Sequence, residues 1–578
     1  MPSFLNSRPK SLLQKDYAAT DALQHESVTD FTRDITSATT RATVFDIPNL
    51  VDLITPHLTT RDIYSCTLVS HHFHDAFQQS LYTCIYIHQE ANVSMFFRKE
   101  AQAAFANHHS QVKEVSTAWG GCIARLVNGI GHPYTLPQGL RSTSVVKNLT
   151  VLRYLPTESV HEKDLEIYST AVLSLMETSP ALQVLHISRF AYSHHYHLVQ
   201  RLMKVIREKG RQLKELRVYS SEMLYAKDFY PLLWSCAAVE VLHMGYGPHP
   251  RGPTSSFAET LPGLRAMARE ALSVKGTISQ HALSEAAEMA EFSQDTDRIK
   301  FAWKELGPGI WLINPELEMV RELLPMCPFL ERTVFPKLTE QNIITHVAPI
   351  VAQSMPRLCH LDLTLLNSQP LATCRLVQSC KDLITLYLGR PQFDPRQLVE
   401  ALVSGHGHSL ESLYIRVFDR LSSQQLNLIL SSCRSLKALY ASLKEYPPGW
   451  NFVEIVPILN TKDMALVPEE PGWQCKVLET LELSYNGRDT TVGIPEVLWR
   501  QIGRLSKLRD LRLQRHGTCE GPPFQEKESV RQAVLSWMAL SDLRRLELRG
   551  LNAFTDEALV SEVRRQRPQL DWVRYTYD

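Results

Sequence analysis

No stretch of this sequence approaches the run of about 20 apolar residues that spans a bilayer, so no membrane segment is expected. Charge of one sign is not in surplus either. Lys+Arg and Asp+Glu are both 61, and the formal net charge is zero. That argues against a chain whose main work is coating nucleic acid, because phosphate neutralisation needs clustered cations. Arg8, Pro9 and Lys10 are followed by no apolar core, so no secretory signal is expected. Cysteine occurs 11 times, an odd number, and never as CxxC. The expectation is free thiols in a reducing compartment, cytoplasmic and/or nuclear, with no structural metal. The triplets at Asn92 and Asn148 are then chance matches to the glycosylation sequon. Enzyme signatures are missing too: there is no P-loop, no GxGxxG and no GxSxG.

What is present is ordinary globular material. Hydrophobic residues make up 44% and charged residues 21% of 578 positions, so most of the chain has enough apolar surface to fold. Residues 1–42, rich in Ser, Thr, Asp and Gln, carry no sustained period and read as a disordered arm. From 43 to 88 the pattern turns helical. Leu50, Leu53, Ile54 and Leu58 recur at helical spacing behind Pro48. Thr60 and Asp62 open a second helix. Ser70 is placed to cap a third, with Phe73, Ala76, Phe77 and Leu81 on one face. Three short helices cannot bury all these positions among themselves, so a covering surface is expected. Residues 89–140 read as a helical linker or cap.

From about 141 to the end a motif Leu-x-x-Leu-x-Leu returns. It reads Val146-Leu149-Val151, Leu182-Leu185-Ile187, Leu213-Leu216-Val218 and Val239-Leu242-Met244. It resumes at Leu358-Leu361-Leu363, Leu383-Leu386-Leu388, Leu410-Leu413-Ile415 and Leu436-Leu439-Ala441. The last copies start at Leu478, Leu508 and Leu543, with a weak one at Leu330-Thr333-Phe335 and an out-of-pattern one at Leu570-Val573-Tyr575. First positions 358, 383, 410 and 436 lie 25, 27 and 26 residues apart. A Leu-x-Leu core at that period is the leucine-rich-repeat signature. The period of two predicts a short strand with both leucines inward, and helical patterns such as Pro395–Val403, Leu421–Leu430 and Asp556–Arg564 lie between strands. Units of this kind stack in parallel, which predicts an α/β solenoid with a concave parallel sheet and outer helices. Cys236, Cys327, Cys380 and Cys433 each stand three residues before a repeat's first apolar position, which predicts one small buried site reused along the array. The Gly- and Pro-rich run after Gly245 predicts an insertion over about 246–309, with a polar helix from Ser279 to Lys304.

The 45–82 segment resembles the F-box family. The resemblance rests on Ile47-Pro48, Leu50, Ile54, Leu58, Asp62-Ile63, Val69-Ser70 and Phe73, and it lies N-terminal to leucine-rich repeats, as in F-box proteins of that architecture. It departs at Leu50, where the family has an acidic residue, and at Tyr82, where it has Trp. The resemblance implies docking on the Skp adaptor, and through it on a cullin-RING assembly, as the substrate-recognition subunit of an SCF-type ubiquitin ligase. It implies no catalytic residue and no cofactor. Matching adaptor-contact positions are Ile47, Pro48, Leu50, Val51, Ile54, Leu58, Ile63, Val69, Ser70 and Phe73. The alternative is that this face packs in cis on residues 83–140 and caps the solenoid.

An unknown protein substrate would meet the concave sheet. Outward positions flanking the leucines include His186, Arg217, Tyr219, His243, Asp362, Tyr387, Tyr414, Arg416, Tyr440, Glu482, Arg512, Gln514, Glu547 and Arg549. Arg217, Tyr219, His243, Tyr387, Tyr414, Arg416, Tyr440 and Arg512 are the candidate contacts, Tyr and Arg being enriched at interface hot spots. Tyr387, Tyr414 and Tyr440 hold one place in three successive repeats and should stack as a ladder. The histidines at 71, 72 and 74, and at 194, 195 and 197, lack acidic or Cys ligands nearby in sequence and read as surface groups. Two further hypotheses stand: a leucine-rich-repeat scaffold independent of ubiquitination, and a hydrolase with a Ser or Cys beside a His in a cleft.

Overall fold

The computed structural model describes residues 60–87, 108–128, 146–156, 162–188, 196–210, 212–219, 226–244, 257–273, 299–307, 317–335, 338–364, 369–388, 396–416, 423–442, 472–486, 496–516, 523–549 and 557–575, with isolated residues at 54, 57, 58, 93, 98, 105 and 366. The expected arm at 1–42, the adaptor-contact positions Ile47, Pro48, Leu50 and Val51, and the stretch 274–298 lie outside the described residues. The chain divides into two compact units, Met1–Leu81 and Tyr82–Asp578.

In the first unit, helix Thr60–Thr67 carries Asp62 in its first turn, where a carboxylate opposes the positive end of the dipole. Ser70 caps the helix His71–Thr83. Its Oγ accepts from the Phe73 backbone N–H at 3.2 Å, and its carbonyl accepts from that of His74 at 2.8 Å. Ile63 and Phe77 are buried, and the Phe73 and Phe77 rings stack at 5.9 Å.

The second unit is one sheet of sixteen parallel strands in sequential order. They are β1 (Cys84–Ile87), β2 (Glu114–Thr117), β3 (Val151–Tyr154), β4 (Val184–Ser188), β5 (Glu215–Tyr219), β6 (Val241–Met244), β7 (Glu305–Leu306) and β8 (Arg332–Val334). The rest are β9 (His360–Leu363), β10 (Thr385–Leu388), β11 (Ser412–Arg416), β12 (Ala438–Ser442), β13 (Thr480–Asn486), β14 (Asp510–His516), β15 (Arg545–Arg549) and β16 (Asp571–Tyr575). Helices alternate with them, among them Arg396–His406, Ser423–Ser432 and Glu557–Gln566, each within a few residues of the span that periodicity predicts. The α/β parallel solenoid is thus the observed fold.

Register follows the leucines. Leu361, Leu386, Leu413 and Leu439 stand opposite one another across β9 to β12, and Leu481, Leu511 and Leu546 across β13 to β15. All are fully buried. Burying one such side chain contributes about 1.5–3 kcal/mol. A slip of one residue would turn every one of them outward. The first-position residues Leu383, Leu410, Leu436, Leu478 and Leu508 are buried just ahead of their strands.

The structure corrects the motif in several places. The first repeat is Leu149-Leu152-Tyr154, because Leu152 faces Leu185 and Tyr154 is buried. Val151, read as inward, is the half-buried first residue of β3. At the end, Trp572 rather than Val573 stands opposite Leu546. Two strands, β1 and β2, precede residue 141, where the repeat pattern first shows. Their register puts Ile85 and Val115 at the leucine position. Apolar but not Leu, and with no first-position leucine, they escape the pattern.

The expected insertion also hides a repeat. Residues 299–304 are not helical, as the helix to Lys304 would require. They lead into β7, where Leu306 lies opposite Leu242 and Thr333. Trp303 takes the first leucine's place. It is fully buried against Phe301 (centroids 4.4 Å), and its indole N–H donates to the Cys236 carbonyl at 2.8 Å. A helix the sequence pattern did not single out, Phe257–Ser273, precedes it.

The four cysteines expected at one site are all buried, and Cys475 adds a fifth three residues before Leu478. Their thiols bond back into the preceding helix where geometry allows: Cys327 Sγ to the Leu323 carbonyl and Cys380 Sγ to the Leu376 carbonyl. The ten described cysteines are free.

Candidate functional site

Because strand side chains alternate, the residue between each inward pair points to the opposite face of the sheet. Reading across the register, that row runs Ser116, Arg153, His186, Arg217 and His243, then Gly307, Val334, Asp362, Tyr387, Tyr414 and Tyr440, then Glu482, Arg512 and Glu547. Ten of the fourteen expected outward positions stand in this row, and Tyr219, Arg416, Gln514 and Arg549 stand two residues further along their strands. They fall into three sections of different chemistry.

The first section, β2 to β8, is a chain of charge pairs. Arg153 bonds Glu114. His186 Nε2 lies 3.1 Å from Glu215 Oε1, which also accepts from Arg217 Nε at 2.6 Å. Burial holds the His186 imidazole below its usual range. Arg217, Tyr219 and His243, three candidate contacts, meet here. Tyr219 Oη lies 2.9 Å from His243 Nδ1, and His243 Nε2 lies 2.8 Å from Glu305 Oε1. Glu305 also reaches Arg332 at 3.5 Å. The hydrogen bond from His243, chiefly, holds the Glu305 carboxyl below the usual carboxylate range. The imidazole sits over Gly307, the residue beside it in register. A Cβ there would lie 2.5 Å from His243 Cγ.

The second section, β9 to β12, is aromatic. The Tyr387 and Tyr414 rings stack at 4.2 Å and 12°, and Tyr414 and Tyr440 at 4.5 Å and 5°. The ladder that the repeat register predicts is present. Strand spacing of about 4.8 Å forces the planes together, and stacked pairs contribute about 0.5–1.5 kcal/mol beyond burial. Burial, with the flanking phenols, pushes the Tyr414 hydroxyl well above the usual phenol range. Arg416 ends β11, and its side chain lies outside the described residues.

The third section, β13 to β15, centres on Arg512. Its guanidinium meets Asp510 at 3.0 Å, Glu482 at 3.4 Å and Glu547 at 3.7 Å. Glu547 is nearly fully buried and takes a second guanidinium, Arg545, at 3.1 Å. The sheet thus keeps Arg512 apart from the Arg217–His243 group, with the tyrosines between.

Sequence reasoning missed Glu215, Glu305 and Arg332, which anchor the first section. They sit two residues before the outward position and share its face, so period-two reading could have found Glu215. Glu305 was concealed by Trp303.

On the first unit, Ile54, Leu58 and Phe73 are half-buried, Ile63 is buried, and Ser70 is exposed at its cap. Val69 is 66% exposed, and its neighbour Leu68, not among the expected contacts, is 68% exposed. His71 and His74 are exposed. Among the described residues no group of three His, Cys, Asp or Glu is placed to hold a metal ion, and no helix is long and apolar enough to cross a membrane.

No protein-family model matches this chain, and no curated protein does. Among solved structures, the crystal structure of the Rad7 and Elc1 complex in yeast is similar at a TM-score of 0.36 and 12% identity, covering 81% of this chain and 91% of that one.

Proposed function

We propose that this protein is the substrate-recognition subunit of an SCF-type ubiquitin ligase, docking on a Skp-family adaptor through its 43–88 helices and holding a protein target on the open face of its sheet. The observation that carries the reading is on the first unit. Two large apolar side chains in sequence, Leu68 and Val69, stand about two-thirds exposed at the turn between two helices of an F-box-like pattern. Neighbouring apolar side chains exposed at a helix junction are costly in water and useful as interface anchors. The long parallel sheet, with its rows of Arg, His, Tyr and carboxylate, supplies a target-binding surface of the kind the role needs. In this role the chain contributes no catalytic group and needs no cofactor.

The test is capture of purified Skp adaptor by the full chain, wild type against the Leu68→Asp, Val69→Asp pair. Both positions are exposed, so the variant should keep the wild-type circular dichroism and melting temperature. Removing two anchors that each contribute about 1.5–3 kcal/mol on burial predicts at least a 100-fold weaker Kd. A well-folded wild type that captures no adaptor would sink the ligase reading and leave the scaffold reading in its place.

A further inference from the structure

The aromatic section differs from its neighbours in what it lacks. Across β9 to β13, the two described outward rows are His360, Thr385, Ser412, Ala438 and Thr480, and Asp362, Tyr387, Tyr414, Tyr440 and Glu482. Neither of these two rows holds a Lys or Arg; the next position on this face of β11 is Arg416, whose side chain lies outside the described residues. Three stacked phenol rings lie between two carboxylates, one at each end. His360 does not supply the missing cation, because burial holds its imidazole below the usual range.

The two ends are not equal. Glu482 is already served by Arg512 at 3.4 Å. Asp362 makes no ion pair among the described residues. Its Oδ1 accepts from the Thr364 backbone N–H at 2.9 Å and from the Thr364 hydroxyl at 2.6 Å, which turns this short side chain along its own strand. Of the two faces of the Tyr387 ring, one is covered by Tyr414 and the other looks toward Asp362. The neighbour beyond Asp362 in the row is Val334, which is uncharged. Arg332 is nearby but is committed to Glu305 at 3.5 Å.

A ring face beside a carboxylate is a seat for a planar cation. Guanidinium stacks on an aromatic face within about 6 Å of its centroid and bonds a carboxylate through its edge. Lysine's compact ammonium fits the carboxylate but not the stack. The same sheet row already holds one guanidinium against carboxylates, Arg512 between Glu482 and Glu547.

We propose that the Tyr387–Tyr414–Tyr440 stack, with Asp362 at its end, is a recognition site for an arginine-bearing segment of a protein partner, the guanidinium lying on the outer face of Tyr387 against Asp362. The inference rests on the reading of this sheet face as the target surface, and it names the class of target.

The experiment uses the full chain and a fluorescein-labelled Gly/Ser dodecapeptide carrying two arginines, followed by anisotropy at 150 mM salt. Counterparts replace both arginines with citrulline, a neutral isostere, or with lysine. The arginine peptide should bind saturably, at least 10-fold more tightly than the citrulline peptide and more tightly than the lysine peptide. Asp362→Asn keeps the acceptor to Thr364 and removes the charge; it should weaken binding at least 5-fold. Tyr387→Leu should do the same, while Tyr387→Phe, which keeps the ring face, should stay within 2-fold of wild type. Should Tyr387→Leu fail to fold, Asp362→Asn and Tyr387→Phe decide the matter between them. Equal binding of arginine and citrulline peptides, or undiminished binding by folded Asp362→Asn, overturns the proposal. Adaptor capture is measured on the same samples. Capture without arginine-peptide binding removes this inference alone; arginine-peptide binding without capture removes the ligase reading alone.

Discussion

Replacing Gly307 with alanine puts a methyl carbon 2.5 Å from His243 Cγ, 2.7 Å from Cδ2 and 2.9 Å from Cβ. None of these is a distance that carbon atoms tolerate, and none of the three atoms is the far end of a flexible side chain. The glycine is required by close approach, not by an unusual backbone angle. The imidazole has to leave its place, and with it go the contacts to Tyr219 at 2.9 Å and Glu305 at 2.8 Å. Overpacking a close contact costs about 1–3 kcal/mol. A hydrogen bond to a charged acceptor contributes about 1.5–3 kcal/mol and a neutral one about 0.5–1.5 kcal/mol. Because moving the ring relieves part of the clash, the terms overlap, and the expected loss is about 3 kcal/mol. The assay is urea denaturation followed by tryptophan fluorescence, run as a cycle of wild type, Gly307→Ala, His243→Ala and the double variant. With the ring gone, only the 2.9 Å Cβ contact remains, so Gly307→Ala should cost about 1 kcal/mol in the His243→Ala background, the low end of overpacking, which is a coupling of about 2 kcal/mol. If Gly307→Ala costs the same in both backgrounds, the imidazole is not what the glycine makes room for, and the reasoning fails.

Three further outcomes are expected. The Glu305 carboxyl is held below its usual value of 4.5 by His243, so its contribution to stability is present above that pH and fades as pH falls through the lowered value; Glu305→Gln should flatten the acid side of a melting-temperature profile, and an unchanged acid limb would refute the pairing. The thiols of Cys236, Cys380, Cys433 and Cys475 are pushed up to about 12 by burial, so iodoacetamide at pH 8 should leave them unmodified in the folded chain and label them in urea, read by peptide mass spectrometry. Arg567 donates to the carbonyls of Met538, Leu540, Ser541 and Leu543, closing the turn that precedes β15; Arg567→Ala should raise hydrogen exchange at Leu543–Leu546 and in β16 at least 10-fold, while β9 to β12 stay protected, because a repeat array communicates mainly through neighbours.

The repeat was legible wherever leucine itself marks it. Leu383-Leu386-Leu388 and its neighbours predict strand, spacing and facing at once, because a period of two and a period near 26 leave one arrangement that buries every leucine. The tyrosine ladder was legible for the same reason, since equal places in successive repeats must become neighbours about 4.8 Å apart. Strands that keep the fold without the letter were not legible. In β7 Trp303 fills a leucine's volume and Leu306 stands alone, so nothing periodic remains to count. In β1 and β2 the sheet uses Ile85 and Val115, which suit a strand but mark no repeat. Register at Trp572 was missed by one residue, because Leu570 offered a more regular-looking match than the one that hydrogen bonding selects.

The sequence by itself determined the parallel solenoid, the inward and outward faces of its strands, and the order in which side chains line up along them. Those properties depend on periodicity, and periodicity is a one-dimensional quantity. Only the tertiary structure decided the pairings: that Glu305, 62 residues after His243, holds its imidazole, that Gly307 makes room for it, that Arg512 is spent on three carboxylates while Asp362 makes no ion pair among the described residues, and that Leu68 and Val69 stand in water. Those depend on distance between side chains from different repeats, and insertions of unequal length keep sequence separation from predicting it.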